Sequence, residues 1–532
     1  MIIKYRKILS IFFIVFCISC KSEKKINENL IFKYNEHSNI SSLDPVFSNT
    51  LRNIWPVNQI FNGLVQLDDS LNIKPDLAKK WDISNDGLNY TFTIRKNILF
   101  HKSKVFIKDS TRSVNANDFV YSFNRLKDPK IGSSGYWVMN NVKSFEAIND
   151  SVFSINLKSP FAAFLQMLSM KYFSVVPREA VSIYGSKFGK NPIGTGPFKF
   201  KRWDENVKLV LRKNHNYHEF DENGKRLPYL EAISVTFLPE KKTEFLEFIQ
   251  GKIDFINSID SAFKDELLDP DGSLKKQYYE SINLITGPYL NTEYIGFFLG
   301  NKDLITRSKK LRLAINYGID KRKMMKFLRN NIGFPANNGF IPIGLNNLKI
   351  DGYKFDIEKS LKLLKEYKEE SGNRDIKLEI STDASYLDIM EYIQRELLKL
   401  GITVKINIMP PSSLRQGKSN GKLEMFRASW IADYPDAENY LSLFYSRNKA
   451  PNGPNYTHFV NRNYDELFIE SFQEPNKLNR NKLYSKLDQM IIEEAPIIPL
   501  YYDKVMRFTR NNVYGLSSNP INQLDLKRVY KK

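Results

Sequence analysis

Two histidines are the first candidates for chemistry in this sequence. His215 and His218 lie three positions apart in KNHNYHEF, a spacing that could place two imidazoles on one metal ion. No cysteine accompanies them, and a pair of histidines on a surface loop is the more common arrangement. Acidic pairs are plentiful along the chain, but none is set apart by its surroundings as a catalytic dyad. These groups therefore predict no metal site and no catalytic residue.

The motifs of familiar enzyme classes are also missing. The sequence contains no HExxH, no GxSxG and no Walker phosphate loop. Gly194-Thr-Gly196 begins like a dinucleotide-binding fingerprint, but Pro197 follows it and Lys199 stands where the third glycine belongs. We therefore expect no cofactor, and an enzyme is the weaker class of function for this chain.

Two cysteines lie at the end of the first apolar segment. Cys17 and Cys20 form a CxxC pair, but no βαβ pattern surrounds them as in a redox site. Basic residues within 4–7 precede an apolar run over 8–18, and a polar stretch follows Cys20. This start resembles a bacterial lipoprotein signal, although Cys17 stands where leucine is usual. Residues 1–19 are then a signal peptide and Cys20 is the lipidation site; an uncleaved membrane anchor is the alternative.

Composition narrows the remaining possibilities. The chain has 532 residues, of which 42% are hydrophobic and 26% charged, a balance typical of globular proteins. Two cysteines and five histidines exclude a disulfide framework or a zinc-finger array. The net charge is +20, and loss of residues 1–19 would lower it to +17, but the basic residues are spread along the chain between acids. We expect a solvated basic surface and no nucleic-acid partner.

Hydrophobic periodicity predicts an α/β fold. Apolar and polar residues alternate, as in half-buried strands, over 90–94, 153–157, 207–211 and 376–380. Residues 386–400 have the pattern of an amphipathic helix that ends at Gly401, and 402–408 alternate again. Strand, helix and strand in this order make a βαβ unit, so a parallel strand pair is expected in this part of the chain.

A second amphipathic helix is predicted to begin after Asp356, which can cap it. Its apolar stripe would consist of Ile357, Leu361 and Leu364 and would face the core. No internal repeat or low-complexity linker interrupts the chain. The mixture of elements therefore indicates one α/β body of more than one lobe.

A series of short motifs runs through most of the chain in a fixed order. They are SLDP at 42–45, IFNGLV at 60–65, KPDLAKKW at 74–81, DGLNYTFTIR at 86–95, NANDFVYSFNR at 115–125, GTGPF at 194–198, GKID at 251–254, LRLAI at 311–315 and SWIADYPD at 429–436. Each is weak alone. In this order they resemble the extracytoplasmic solute-binding proteins of peptide, oligopeptide and dipeptide ABC transporters, which form solute-binding protein family 5.

The resemblance implies an α/β, two-lobed clamshell of the type II periplasmic-binding-protein kind, with an additional accessory α/β domain. Its two lobes would close on ligand by a hinge motion. By analogy, lobe I comprises 26–58, 188–284 and 502–532, the accessory domain comprises 59–187, and lobe II comprises 285–501. The βαβ unit predicted from periodicity falls in lobe II, where the family has one.

The resemblance also implies a ligand site. In peptide binders of this family, the aspartate three positions after the tryptophan takes the peptide's α-ammonium, so Trp430 indicates Asp433. The backbone of Ser429 and Ile431 is expected to pair with the ligand as an added strand. Arg427 matches a family arginine on the carboxylate side of the ligand. The alternatives are a turn or N-cap role for Asp433 and a solvated strand position for Arg427.

The function implied is that of a lipid-anchored extracytoplasmic protein, on a periplasmic face or the cell surface, without catalytic activity. It would capture peptides and deliver them to the permease and ATPase complex of an ABC transporter, and we expect it to be a monomer. The same fold also carries other solutes in parts of the family, so a metal chelate, an opine-like compound or a saccharide is the alternative cargo. A neutral saccharide would leave the carboxylate of Asp433 without a counter-charge.

Overall fold

The structure is a computed structural model that describes residues 30–107, 110–260, 262–345 and 350–532. The predicted signal peptide 1–19 and the predicted lipidation site Cys20 lie outside these residues. None of the helices in the ranges given is both long and apolar enough to span a membrane.

Strands and α-helices are interspersed along the chain. The strands are β1 (Ile31–Asn35), β2 (Val65–Leu67), β3 (Ile73–Pro75), β4 (Ala78–Ile83), β5 (Asn89–Ile94), β6 (Val142–Asn149), β7 (Val152–Leu157), β8 (Phe198–Asp204), β9 (Lys208–Lys213), β10 (Ala232–Thr236), β11 (Phe255–Asn257), β12 (Ile282–Phe297), β13 (Phe334–Pro335), β14 (Ile376–Thr382), β15 (Ile402–Ile408), β16 (Met425–Ile431), β17 (Ile497–Arg510), β18 (Val513–Tyr514) and β19 (Tyr530–Lys531). The helices are α1 (Leu51–Ile60), α2 (Ala116–Lys127), α3 (Phe164–Met167), α4 (Arg178–Tyr184), α5 (Lys241–Ile249), α6 (Lys264–Leu267), α7 (Lys309–Tyr317), α8 (Lys321–Leu328), α9 (Ile357–Ser371), α10 (Leu387–Leu398), α11 (Pro411–Ser419), α12 (Glu438–Leu441), α13 (Arg462–Gln473) and α14 (Lys477–Glu494).

One large sheet is built from strands in both the N-terminal and the C-terminal parts of the described chain. Its strand order is β15-β14-β16-β12-β17-β11-β1-β10-β9-β8, with β13 paired to β17 outside this path. The two long antiparallel strands β12 and β17 lie at its centre, and their register shifts between Pro288 and Thr292. The predicted lobe boundaries at 284/285 and 501/502 fall inside these two strands. The division into domains stays a prediction.

A smaller sheet stands apart from the large one, within 59–187. Its order is β4-β5-β7-β6, and all its pairings are antiparallel. Helix α2 covers one face, where Phe119 and Phe123 meet Phe153 with ring centroids 5.7 and 5.2 Å apart. The alternating pattern that predicted strands at 90–94 and 153–157 arises because every second residue faces this aromatic core.

The βαβ unit predicted from periodicity is confirmed. Strands β14 and β15 pair in parallel from Ile376↔Ile402 to Thr382↔Ile408, and α10 connects them. The helix buries the predicted stripe of Ile389, Ile393 and Leu397. This unit supports β16, the strand that carries the candidate site.

The orientation predicted for α9 is wrong. Asp356 caps the helix as expected, because its side chain accepts a hydrogen bond from the Lys359 N–H. However, Ile357 and Leu361 are 38% and 47% exposed, and of the predicted stripe only Leu364 is buried. The reason is the contact with α7, where the Ser360 hydroxyl donates to the Ala314 carbonyl at 2.7 Å and turns the small residue inward.

Candidate ligand-binding site

Strand β16 has one open edge. It pairs with β12 from Met425 to Ile431, but with β14 only at Met425 and Phe426. Among the residues that the structure describes, no strand pairs with the second edge of 429–431. An extended ligand can therefore add to the sheet at this place.

The backbone of two predicted site residues faces this open edge. The Ala432 N–H, just past β16, donates to the Leu290 carbonyl on the β12 side at 2.9 Å. Successive residues of a strand direct their N–H and C=O groups to opposite sides. Ser429 and Ile431, each an odd number of positions from Ala432, therefore present their amide and carbonyl groups away from β12.

Asp433 stands two residues beyond the end of β16. Its side chain is exposed, yet the surrounding protein raises the pKa of the carboxyl from 3.8 to about 6. These two observations agree when a carboxylate faces an enclosed cleft. Water can reach such a group, while the surrounding protein reduces its solvation.

The charge on Asp433 has no cationic partner in the protein. Within the described ranges, no lysine or arginine forms an ion pair with its carboxylate, and none lowers its pKa. A nearby acid, Glu438, is buried and accepts a hydrogen bond from the Tyr434 hydroxyl. Burial raises the pKa of Glu438 to about 8, and the negative charges of Asp436 and Asp433 add to the increase. The surroundings of Asp433 are thus suited to a cation.

Aromatic rings lie beside Asp433 and Tyr434. Phe161 stacks on Phe472 with centroids 4.2 Å apart and planes within 4°, and it meets Tyr434 edge-on at 6.4 Å. Burial raises the pKa of Tyr172 to about 12, and the charge of the nearby Asp433 contributes. Phe161 and Tyr172 belong to residues 59–187, which also contain the smaller sheet, so this part of the chain meets the residues that follow β16 beside Asp433.

Trp430 is anchored by an asparagine that it shares with Asp433. The indole Nε1–H donates to Asn439 Oδ1 at 2.9 Å, and the Asp433 backbone N–H donates to the same oxygen at 3.1 Å. The ring is half-buried and packs against the core that surrounds β12, β14 and β16. Asn439 itself is only 2% exposed.

Arg427 is held by a buried acid. Its Nη2 and Nε donate to one carboxylate oxygen of Glu293 at 2.6 and 3.1 Å, and its Nη1 lies 3.8 Å from Asp383. The guanidinium covers the ring of Tyr386, with Cζ 3.3 Å from the centroid. The side chains of Arg427 and Glu293 are 13% and 4% exposed, which rules out a solvated strand position for Arg427. Its contact with a ligand carboxylate stays a prediction.

Sequence reasoning missed Glu293 and Asn439. Glu293 lies inside β12, directly before the apolar run YIGFF at 294–298, and a buried acid at such a place signals a partner elsewhere. Asn439 lies six positions after Asp433 and carries no recognisable pattern. Only the short helix α12 brings its side chain back to the end of β16.

The two candidate histidines have different surroundings. His215 is exposed, as expected for a surface loop, whereas His218 lies half-buried beside Asp76 and Glu219. His218, Asp76 and Glu219 each offer one potential ligand atom, and these three atoms lie within 4.8 Å of one another. Glu219 already pairs with the Lys527 ammonium at 3.0 Å, which supplies the positive charge a metal would bring. The surface-loop interpretation is therefore wrong for His218.

Comparison with known proteins identifies the family. Residues 72–452 match the model for bacterial extracellular solute-binding proteins, family 5 (middle region). Since this match covers more than half of the chain, the chain belongs to that family, as its motifs predicted.

Individual relatives share the fold over nearly the full length. The chain is 26% identical to the dipeptide-binding protein DppE of Bacillus subtilis, over 95% of this chain and 92% of that protein. It superimposes on the periplasmic binding protein DppA of Helicobacter pylori, in complex with the peptide STSA, with a TM-score of 0.80 and 26% identity, over 94% of this chain and 98% of that one. The predicted fold class, an α/β clamshell with an accessory domain, is confirmed.

A third neighbour shows the same fold with a different ligand. The structure of AgaA from A. tumefaciens R10 in complex with agropinic acid has a TM-score of 0.79 and 20% identity, over 94% of this chain and 99% of that one. The fold alone therefore does not define the class of ligand.

Proposed function

We propose that this protein captures peptides with a free α-amino group in the cleft beside β16. One observation carries the proposal. The carboxylate of Asp433 is enclosed, has no cationic partner among the described residues, and stands at the end of an open strand edge. An α-ammonium supplies the missing charge and two or three donors for short, charge-assisted hydrogen bonds.

The open edge explains why the ligand would be a peptide rather than a simple amine. The amide and carbonyl groups of Ser429 and Ile431 offer main-chain hydrogen bonds to an extended backbone. Such bonds give affinity without recognition of particular side chains. Two relatives support this assignment. One is named a dipeptide-binding protein, and the other is described in complex with the peptide STSA.

A non-peptide solute is the second candidate, because AgaA carries agropinic acid on the same fold. A metal chelate, an opine-like compound or a saccharide would then occupy the cleft. A neutral saccharide fits Asp433 poorly, since it offers no positive charge to a carboxylate whose solvation is reduced. An opine-like cargo with a free amine would satisfy Asp433 but would not need the strand edge.

Native mass spectrometry of protein purified without refolding separates these cargoes. Co-purified masses that correspond to peptides support the proposal, and a chelate, opine or sugar mass supports the alternative. Calorimetry then compares alanine peptides of two to five residues with their N-acetylated forms. We expect free peptides to bind roughly 100- to 1000-fold more tightly, because acetylation leaves the enclosed carboxylate without its partner. Equal affinities would contradict the proposal.

The cellular role rests on the N-terminal segment. Processing at Cys20 would attach the protein by lipid to an extracytoplasmic membrane face, where it delivers peptide to the permease and ATPase complex of an ABC transporter. We expect a monomer without catalytic activity. One acyl chain anchors a protein only marginally, so two or three should be present. In cells fed labelled palmitate, Cys20→Ala should abolish labelling, and labelling that persists in this variant would contradict the anchor.

A further inference from the structure

Asn439 accepts two hydrogen bonds that meet at the amine end of the cleft. Its Oδ1 receives the Trp430 indole N–H at 2.9 Å and the Asp433 backbone N–H at 3.1 Å. An amide oxygen has two lone pairs, so both are used. This pattern also fixes the orientation of the amide, because two N–H donors can meet only its oxygen.

The nitrogen of the same amide, Asn439 Nδ2, is not used in these two hydrogen bonds. With Oδ1 directed at Trp430 and at the Asp433 main chain, Nδ2 carries the donors of Asn439. The Asn439 side chain lowers the pKa of Asp433 and so opposes the effect of burial. The amide thus holds the main chain of Asp433 and favours the charged form of its carboxyl.

The position of Asn439 is itself firmly determined. The residue is 2% exposed and lies in the short helix α12, where its backbone N–H donates to the Asp436 carbonyl at 3.2 Å. A buried group with a fixed backbone and a fully used acceptor can orient its neighbours. A turn without this amide would leave the Asp433 main chain unsupported.

We propose that Asn439 is the positioning residue of the amine subsite, which places the carboxylate of Asp433 where a ligand ammonium meets it. The inference rests on the proposed function. Asn439 acts through Asp433 and need not contact the ligand. Removal of its side chain should therefore weaken recognition of a free amine and spare the main-chain contacts that an N-acetylated peptide still makes.

The test measures amine selectivity in Asn439→Leu, whose side chain has the same branched shape but no amide. Calorimetry with the alanine peptides of two to five residues and their N-acetylated forms gives the affinity ratio. We expect free peptides to bind 10- to 100-fold more weakly than to the unmodified protein, and acetylated peptides to change by less than threefold. A merely structural role would weaken both kinds of peptide equally, and that result would overturn the inference.

Asn316→Leu is the matched control. Asn316 is a fully buried asparagine elsewhere, whose Nδ2 donates to the Arg312 and Ile497 carbonyls at 3.0 and 3.1 Å. Its loss should lower stability without any change in amine selectivity. A fall in selectivity as large as that of Asn439→Leu would mean that any buried amide has this effect, which would also overturn the inference.

Asn439→Asp provides a test if the leucine variant fails to fold. It keeps the acceptor for Trp430 and for the Asp433 main chain, but it replaces the donor with a second negative charge. We expect the pH below which free alanine peptides lose affinity to move upward by about one unit. An unchanged midpoint would overturn the inference. If the unmodified protein itself shows no preference for free over acetylated peptides, the proposed function fails and this inference fails with it.

Discussion

The two ends of β16 carry opposite charges in opposite situations. At its start, Arg427 donates to Glu293 at 2.6 Å and stacks on Tyr386, so the protein itself supplies the counter-charge. Beyond its end, the carboxylate of Asp433 is enclosed without any cation from the described residues. The sequence motif predicts both residues in the ligand site, whereas the structure gives only one of them an unmatched charge.

This difference separates a charge that stabilises the fold from one that is available to a ligand. A buried ion pair is expensive to break but contributes little net stability when complete. An enclosed, unpaired carboxylate costs stability until something binds to it. Such an unfavourable site is expected where selection has favoured function over stability.

The largest expected effect is at the paired end. Glu293→Leu leaves the Arg427 guanidinium buried without its partner, so the free energy of unfolding should fall by about 3–5 kcal/mol. Urea denaturation of the ligand-free protein at neutral pH measures it. The double variant Glu293→Leu/Arg427→Met should recover most of the loss, because the stranded charge is gone. A single-variant loss below about 1 kcal/mol would show that Asp383 or solvent already neutralises Arg427.

The next effect is at the unpaired end and concerns binding. Asp433→Asn keeps the shape but removes the charge, and affinity for free peptides should fall by roughly two to three orders of magnitude. The loss should not add to that from N-acetylation, because both changes delete one interaction. Calorimetry on the four combinations measures this. Fully additive losses would mean that the ammonium binds elsewhere.

Without ligand, Asp433→Asn should leave the free energy of unfolding unchanged or raise it by less than about 1 kcal/mol. The effect is small because Asp433 is exposed to water. This outcome is the reverse of that expected for Glu293→Leu. A large loss of stability would place Asp433 with the structural charges and remove the contrast between the two ends of β16.

The pH dependence gives a smaller effect. The folded pKa of Asp433 is about 6, above its ordinary value of 3.8, so the carboxyl is protonated below about pH 6. Affinity for free peptides should then fall about tenfold for each pH unit. Without ligand, protonation relieves an unfavourable charge, so Asp433 contributes stability as the pH falls from about 6 to 4. Isothermal titrations between pH 5 and 8 test the affinity, urea denaturation without ligand over the lower pH range tests the stability, and Asp433→Asn should show neither trend.

The smallest effect concerns the enclosure of the Asp433 end. Phe472→Ala removes the ring that stacks on Phe161, a contact worth about 0.5–1.5 kcal/mol, so affinity should fall about two- to tenfold. Phe327→Ala is the control, since Phe327 is 61% exposed on α8. Small-angle scattering should show a larger radius of gyration for the Phe472 variant at equal ligand saturation. An unchanged affinity would mean that these rings do not help to close the cleft.

Periodicity predicted elements well where one face of the element is simply apolar. The βαβ unit of β14, α10 and β15 follows from residues 376–408, because α10 lies flat on the sheet and buries its apolar stripe. The same reasoning failed for α9. There the close approach of α7 favoured the small Ser360 at the contact and left Ile357 and Leu361 exposed.

The candidate site shows the same division between local and distant information. The motif around Trp430 indicated Asp433 and the backbone of Ser429 and Ile431, and the structure finds an open strand edge at that place. Whether these residues bind a ligand stays a prediction. The surroundings that distinguish Asp433 from Arg427 could not be predicted, because Glu293 lies 134 positions from Arg427 along the chain.

The sequence by itself determined the family and the α/β class, and it predicted the position of an amine-binding motif, because these depend on local patterns and on the order of motifs. Only the tertiary structure decided which charges are already matched. A salt bridge such as Arg427–Glu293 depends on strand pairing between distant segments, here β16 and β12. The enclosure of Asp433 likewise depends on Phe161 and Tyr172 from another part of the chain. Electrostatic energy depends on distance and solvation in space, and neither is recorded in the order of residues.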